Sequence, residues 1–241
     1  MYFGYKLGIV VPVYNESEFI SATLEGIPEF ADRIYVVDDG STDNTRDIAG
    51  RFDGGRYNLM TNGRNRGVGA TVIRGYKKAL EEGMDIVVVM DGDNQMDARY
   101  LPDLLEPIIT NEAQFVKGNR LSRLSHRKGM SNWRFLGNWI LTLLTKVVSG
   151  YWGLMDSQNG YTAITGDTLK LIDLDRIYPR YGYCNDLLVK LNIVGCKAIN
   201  VPIPARYANE TSKIRYERYI IGVSYLLLRN YLWRLKIKWF K

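Results

Sequence analysis

Residues 87–97 read VVVMDGDNQMD, and the reading of this stretch decides the fold. An apolar run passes directly into three carboxylates, Asp91, Asp93 and Asp97. A near-continuous apolar run of this kind fits a strand buried on both faces, as in a parallel sheet covered by helices. The carboxylates mark where that strand stops. A solvated turn would explain one of them. Two aspartates flanking Gly92 also suit a hard divalent cation, which takes carboxylate oxygens and keeps positions open for substrate phosphates. Gly92 is expected to break the strand and let Asp91 and Asp93 approach one ion. With a reference pKa of about 3.9, both would be charged at neutral pH. Asp97 is read as the start of the helix that follows.

Working outward, the flanking sequence alternates in character. β-rich runs occupy 7–13 (LGIVVPV), 33–39 (RIYVVDD), 57–61 (YNLMT), 85–91 (DIVVVMD) and 114–119 (QFVKGN). Between them, Glu16 to Ile27 and Val68 to Leu80 space their apolar residues as helices do, the second closed by Gly83. This alternation predicts an α/β fold with a mostly parallel sheet and flanking helices. In such sheets ligands bind beyond the carboxyl ends of the strands. Four of those ends, PVYNE, DDGSTDNT, DGDNQMD and GNR, are polar and turn-like, and they would converge on one edge.

Composition narrows the alternatives. The 241 residues carry 32 Lys and Arg against 26 Asp and Glu, a net +6. That balance is too mild to imply nucleic acid, and the acidic strand ends disfavour it. The cations gather after Lys213, where Arg215, Arg218, Arg229, Arg234, Lys236, Lys238 and Lys241 face one acid, Glu217. An anionic partner is expected there. Cys184 and Cys196 match no zinc spacing and no disulfide framework, so they are read as reduced thiols. No signal peptide is visible, and no apolar run reaches the roughly 18 residues of a membrane span.

Other motifs carry chemistry beside plainer readings. In DDGSTDNT, Gly40 permits a tight turn, and Ser41, Thr42 or Asp43 can cap a helix, leaving one of Asp38 and Asp39 to accept from a nucleobase or ribose. In PVYNE, Tyr14 can pack on a base and Glu16 can accept from a ribose hydroxyl, or Asn15 can simply cap a helix. GVGATV at 67–72 lacks the third glycine of a dinucleotide fingerprint and does not follow the first strand, so that reading is rejected. His126 lacks metal-ligand neighbours, though its company (Arg120, Arg123, Arg127, Lys128) suits a diphosphate.

VPVYNE, VVDDGSTDNT, the helix around NRGVGA, and VVVMDGDNQMD, in this order, resemble the family 2 glycosyltransferases of the GT-A fold, over roughly residues 5 to 213. GNR, DSQNGYTAI, NDLLVKL and VPIPARY are similar to the branch that includes dolichyl-phosphate mannose and glucose synthases. The resemblance implies inverting transfer of a hexose from a nucleoside-diphosphate sugar, GDP-mannose first and a UDP-hexose next. It implies that Pro12, Tyr14, Glu16 and Asp39 hold the nucleotide. It further implies that Asp91 and Asp93 hold Mn2+ or Mg2+ on the diphosphate, with Gln95 close by. Arg120, Arg206 and Lys213 would contact phosphate near a polyprenyl- or dolichyl-linked acceptor.

The nature of that acceptor stays open. A sugar hydroxyl needs a general base. Hydroxyl-glycosylating relatives carry an acidic residue followed by Asp, and here Asp186 is preceded by Asn185, a departure. Asp186 as base, acting on a lipid-linked glycan, is the first expectation. A lipid phosphate needs no base, because it is already anionic. A non-catalytic nucleotide-sugar-binding membrane scaffold is the rival of another class. The chain is expected to divide at 1–213 (a nucleotide-sugar half to 120, an acceptor half from 121) and 214–241. Trp133, Trp139, Trp152 and the final amphipathic, basic segment suggest a membrane surface, expected to be its cytosolic face.

Overall fold

The structure, a computed structural model, describes residues 1–122, 132–204 and 216–239. Seven strands form one sheet: β1 (Leu7–Val13), β2 (Arg33–Asp38), β3 (Tyr57–Thr61), β4 (Ile86–Val89), β5 (Phe115–Asn119), β6 (Thr162–Thr165) and β7 (Ala198–Pro202). Their order is β3-β2-β1-β4-β6-β5-β7. All pairings are parallel except those of β6, which runs antiparallel to both β4 and β5. β1, β2, β4 and β5 therefore end on the same edge, as their polar termini predicted. β6 begins in MDSQNGYTAI, where the sequence gives no strand signal, and it spans only four residues. It joins the two halves of the chain in one sheet.

The helices are α1 (Ile20–Glu25), α2 (Thr45–Gly50), α3 (Val68–Glu81), α4 (Leu101–Ile109), α5 (Asn132–Ser149), α6 (Gly166–Lys170), α7 (Tyr183–Ile193) and α8 (Tyr216–Trp239). Strand alternation sorts the core into two layers. Ile9, Val11, Ile86 and Val88 pack with α1 and α4 through Leu24, Leu101 and Leu105. Val10, Val87 and Val89 face the other way, onto Val72 and Tyr76 of α3 and Leu187, Leu188 and Leu191 of α7. α3 ends in a Schellman turn: Met84 N–H donates to Ala79 O at 3.0 Å and Gly83 N–H to Leu80 O at 3.1 Å, with Gly83 at φ +70°.

α5 is built inside out. Its buried residues include Thr142, Thr145 and Ser149, while Leu136, Trp139, Ile140, Leu143, Leu144 and Val147 are all exposed. Those six recur at the spacing of one helical stripe. α8 buries Val223, Leu226, Leu227 and Asn230, yet exposes a second stripe of Ile221, Tyr225, Leu228 and Leu232. The two helices pack on each other. Among the described residues, no helix is long and apolar enough to cross a membrane.

Candidate active site

The end of β4 is shaped by its contact with β1. Gly92 N–H donates to Pro12 O at 3.2 Å. Pro12 has no N–H to give the ladder, and it sits where β1 runs past the end of β4 at Val89. Gly92 acts here by closeness: a Cβ would lie 2.4 Å from Val13 Cγ1. The turn continues through Asn94 at φ +59°, and Asp93 Oδ1 accepts from Gln95 N–H at 3.0 Å. Asp97 starts the following 3-10 turn, as expected, by accepting from Arg99 N–H at 3.0 Å.

Asp91 and Asp93 are brought together. Burial first, then the charge of Asp93, pushes the Asp91 carboxyl up to about 7, and Glu16 adds to this while Arg120 and Lys117 oppose it. Asp91, Asp93, Gln95 and Arg120 line one cleft with Gln158, Asn159 and Gly160. The 156–160 loop is held by two cations of the β5 end. Arg120 grips the wholly buried Asp156 through Nε and Nη2, and the buried Lys117 donates to Asn159 O. Asn159 Nδ2 in turn donates to Gly118 O at 2.8 Å. The loop then presses on the carboxylates: a Cβ on Gly160 would lie 3.2 Å from Asp91 Oδ2. Arg120 thus holds Asp156 while lining the cleft in which it is expected to contact phosphate. Two arms of its fork are occupied by Asp156.

The β2 end carries the two aspartates of which one is expected to accept from the nucleotide. Neither Asp38 nor Asp39 stands free of internal donors. Asp38 accepts from Ser41 N–H and the Thr61 hydroxyl. Asp39, 3% exposed, accepts from Asn62 Nδ2 at 2.8 Å, Arg66 N–H at 2.9 Å and Gly67 N–H at 2.8 Å. It fixes the loop that opens α3. Gly40 stands at φ +76° directly against Arg64. Asp43 serves the α2 start, accepting from Thr45 N–H at 3.0 Å. Asn15 does not cap α1, which begins at Ile20. It sits at φ +55° and accepts from Thr42 N–H at 2.8 Å, tying the β1 turn to the β2 turn. Tyr14 and Glu16 flank it, half-buried, at the same edge.

Tyr181 is a site residue that motif reading did not single out. Burial of its hydroxyl, then the charges of Asp91, Glu16, Asp93 and Asp39, raise its pKa, so Tyr181 stands in the field of the acidic edge. Its signal in the sequence was weak: PRYGYC, an aromatic pair around Gly182.

Asp186 is not brought to the cleft. It is wholly buried, with Oδ2 accepting from Tyr178 N–H and Lys190 Nζ, both at 2.7 Å, and Oδ1 from Asn230 Nδ2 at 2.8 Å. A carboxylate with three internal donors and no exposure is placed as a joint and not as a base. Arg206, Lys213 and the group His126, Arg123, Arg127 and Lys128 lie outside the described residues.

The donor set fits a hard cation. Two acidic oxygens donors repel each other at the strand end, which is the electrostatic condition that a divalent ion relieves. Among the described residues no group of three or more potential ligands exists, so remaining positions would fall to diphosphate oxygens and water.

With this geometry in place, comparison with known proteins decides the family. A family model described as "Glycosyl transferase family 2" matches residues 8–164. The chain belongs to glycosyl transferase family 2. It is a glycosyltransferase by that membership. It is 31% identical, over 91% of this chain and 94% of the relative, to a UDP-N-acetylglucosamine–dolichyl-phosphate N-acetylglucosaminyltransferase of Methanococcus voltae. It is 34% identical, over 80% of this chain and 81% of the relative, to an undecaprenyl-phosphate mannosyltransferase of Micrococcus luteus. The fold matches glucosyl-3-phosphoglycerate synthase of Mycobacterium tuberculosis, solved with Mn2+, UDP-glucose and phosphoglyceric acid, at a TM-score of 0.72 and 20% identity, covering 95% of this chain and 80% of that one. At that identity the match speaks for the GT-A fold alone.

Proposed function

We propose that this glycosyltransferase moves a hexose, with inversion, from a nucleoside-diphosphate sugar to the phosphate of a polyprenyl or dolichyl phosphate at the cytosolic face of a membrane. One observation carries the choice of acceptor. The carboxylates lining the cleft among the described residues are Asp91 and Asp93, and Asp186 is buried elsewhere. A sugar hydroxyl would need a base there. A phosphate monoester has its second pKa near 6 and arrives already anionic. The names of the two relatives, both of which specify a lipid phosphate, support the same choice. The lipid phosphate therefore replaces the glycan hydroxyl as the leading acceptor.

In this reading Pro12, Tyr14, Glu16 and Asp39 set the nucleotide at the β1 and β2 ends, beside Tyr181. Asp91 and Asp93 would hold Mn2+ or Mg2+ on the diphosphate. Such an ion stabilises the charge that the leaving diphosphate gains. Gln95 and the 156–160 loop close the wall around the diphosphate. Arg120 steadies that loop, and Arg206 and Lys213 place the acceptor phosphate. GDP-mannose is the first donor to test, with UDP-hexoses beside it.

The exposed stripes of α5 and α8 support the membrane. An exposed apolar stripe opposite the packed inner face, on two helices that lie against each other, is the arrangement of an interfacial element. Arg229, Lys236 and Lys238 would meet anionic headgroups. The test is a donor screen with purified polyprenyl phosphate and mass analysis of the product. One hexose on the lipid phosphate supports the reading, and transfer only to a pre-formed lipid-linked glycan removes it.

A further inference from the structure

The Asp186 carboxylate lies where three elements meet. From α8, Asn230 Nδ2 donates to Oδ1 at 2.8 Å. From one turn along α7, Lys190 Nζ donates to Oδ2 at 2.7 Å. From the segment before α7, Tyr178 N–H donates to the same oxygen at 2.7 Å. That segment is pressed between two helices. On one side, the Tyr178 hydroxyl lies near Gly222 of α8, where a Cβ would sit 3.6 Å away, and Gly182, at φ +107°, lies under Leu226. On the other side, Pro179 O accepts from Ala70 N–H at 2.9 Å, and a Cβ on Gly69 would lie 2.3 Å from Tyr178 O. Gly69 and Gly67 leave no room between the segment and the start of α3. That start, through Gly67 and Arg66 N–H, holds Asp39.

We propose that Asp186 is a positioning residue that couples α8 to the donor edge of the sheet. It fixes Tyr178–Pro179, which fix the first turn of α3, which fixes the Asp39 carboxylate and the loop around it. The helix carrying the exposed apolar stripe is thereby joined to the nucleotide side by consecutive short contacts. Close packing transmits such displacement because an interior has no slack to absorb it. Removing one partner of a buried carboxylate leaves the other donors or the charge unsatisfied, so local adjustment follows. The proposal rests on the donor assignment above, since it says what Asp186 does for that site.

The test compares the whole chain with Asp186→Asn and with Asn230→Leu, which removes the α8 hydrogen bond, leaves Asp186 intact and keeps Arg229 Nη2 3.7 Å from Oδ1. Titration calorimetry with GDP and UDP in the presence of Mn2+ reads nucleotide binding without turnover, and donor KM and kcat are measured beside it. The expected result is about fivefold or weaker nucleotide affinity and a raised donor KM in both variants, with kcat at saturating donor within about threefold of wild type. If Asp186→Asn binds nucleotide as wild type does and loses about a hundredfold or more in kcat, Asp186 is a base and the proposal is overturned. If both variants bind as wild type and only their melting temperature falls, Asp186 merely packs helices and the proposal is likewise overturned. Should Asp186→Asn fail to fold, Asn230→Leu decides alone. Wild type that binds neither nucleotide overturns the donor assignment and this proposal together, whereas normal wild-type binding with unchanged variants overturns this proposal only.

Discussion

The Arg120 guanidinium holds the Asp156 carboxylate by a fork, 2.8 Å from Nε to Oδ2 and 2.9 Å from Nη2 to Oδ1. Burial pushes the Asp156 carboxyl up, but the charge and hydrogen bonds of Arg120 hold it below the usual range. Replacing Arg120 by Ala would leave a buried carboxylate without its charge partner, at a cost of about 3–5 kcal/mol. Denaturant unfolding checks this. The sign with pH follows from the lowered folded value: the contribution is present above the ordinary Asp range and is lost as pH falls through the folded value. Arg120→Lys should recover only part of it, because an ammonium cannot form the fork.

Asp91, with its carboxyl pushed up to about 7, is expected to make cation binding pH-dependent. Below that value the proton must leave before a divalent ion can bind. Calorimetric Mn2+ affinity in the presence of nucleoside diphosphate should therefore rise with pH, by up to about tenfold per unit, and level off above neutrality. Asp93→Asn removes the repelling charge and one ligand together. It should lower transfer by about a hundredfold or more and flatten the pH dependence.

Gly40 stands at φ +76°, with the Arg64 Cα 2.6 Å from where a Cβ would lie. Gly40→Ala meets both a disfavoured backbone region and a backbone clash. A loss of more than about 1 kcal/mol is expected in chemical denaturation, with weaker nucleotide binding, because the Asp38–Asp39 turn must move.

The α5 and α8 stripes predict surface binding that can be separated from folding. Leu143, 45% exposed, and Leu228, 59% exposed, lie one on each stripe. Leu143→Glu combined with Leu228→Glu should cut co-sedimentation with phosphatidylglycerol vesicles by about tenfold or more, since each leucine contributes up to about 1.5–3 kcal/mol when buried in lipid. The melting temperature should hardly change, because exposed positions contribute little to folding.

Much of the donor edge was legible in the sequence because its signals are local. VVVMDGD announces a buried strand and its charged end within seven residues, and the alternation from Leu7 to Asn119 gives the parallel sheet. β6 was not legible: four residues carry no periodicity, and its antiparallel place between β4 and β5 is a tertiary fact. The partners of Asp39, Arg120 and Asp186 were not legible for a common reason. A charged residue in a motif shows what it can bind, whereas its partners come from chain far away, such as Asn230 for Asp186 and Asp156 for Arg120. The exposed stripe of α5 was readable as apolar spacing, but not which side of the helix would be turned outward.

The proposed function turns on an attacking lipid phosphate that needs no base from the protein. It is tested most directly by incubating the purified chain with a labelled nucleoside-diphosphate hexose, Mn2+ and polyprenyl phosphate, and measuring the product by mass. The expected product is a polyprenyl phosphate heavier by one hexose residue, formed without any pre-existing glycan. No product from the lipid phosphate, with transfer from the same donor to a sugar hydroxyl of a lipid-linked glycan, would contradict it.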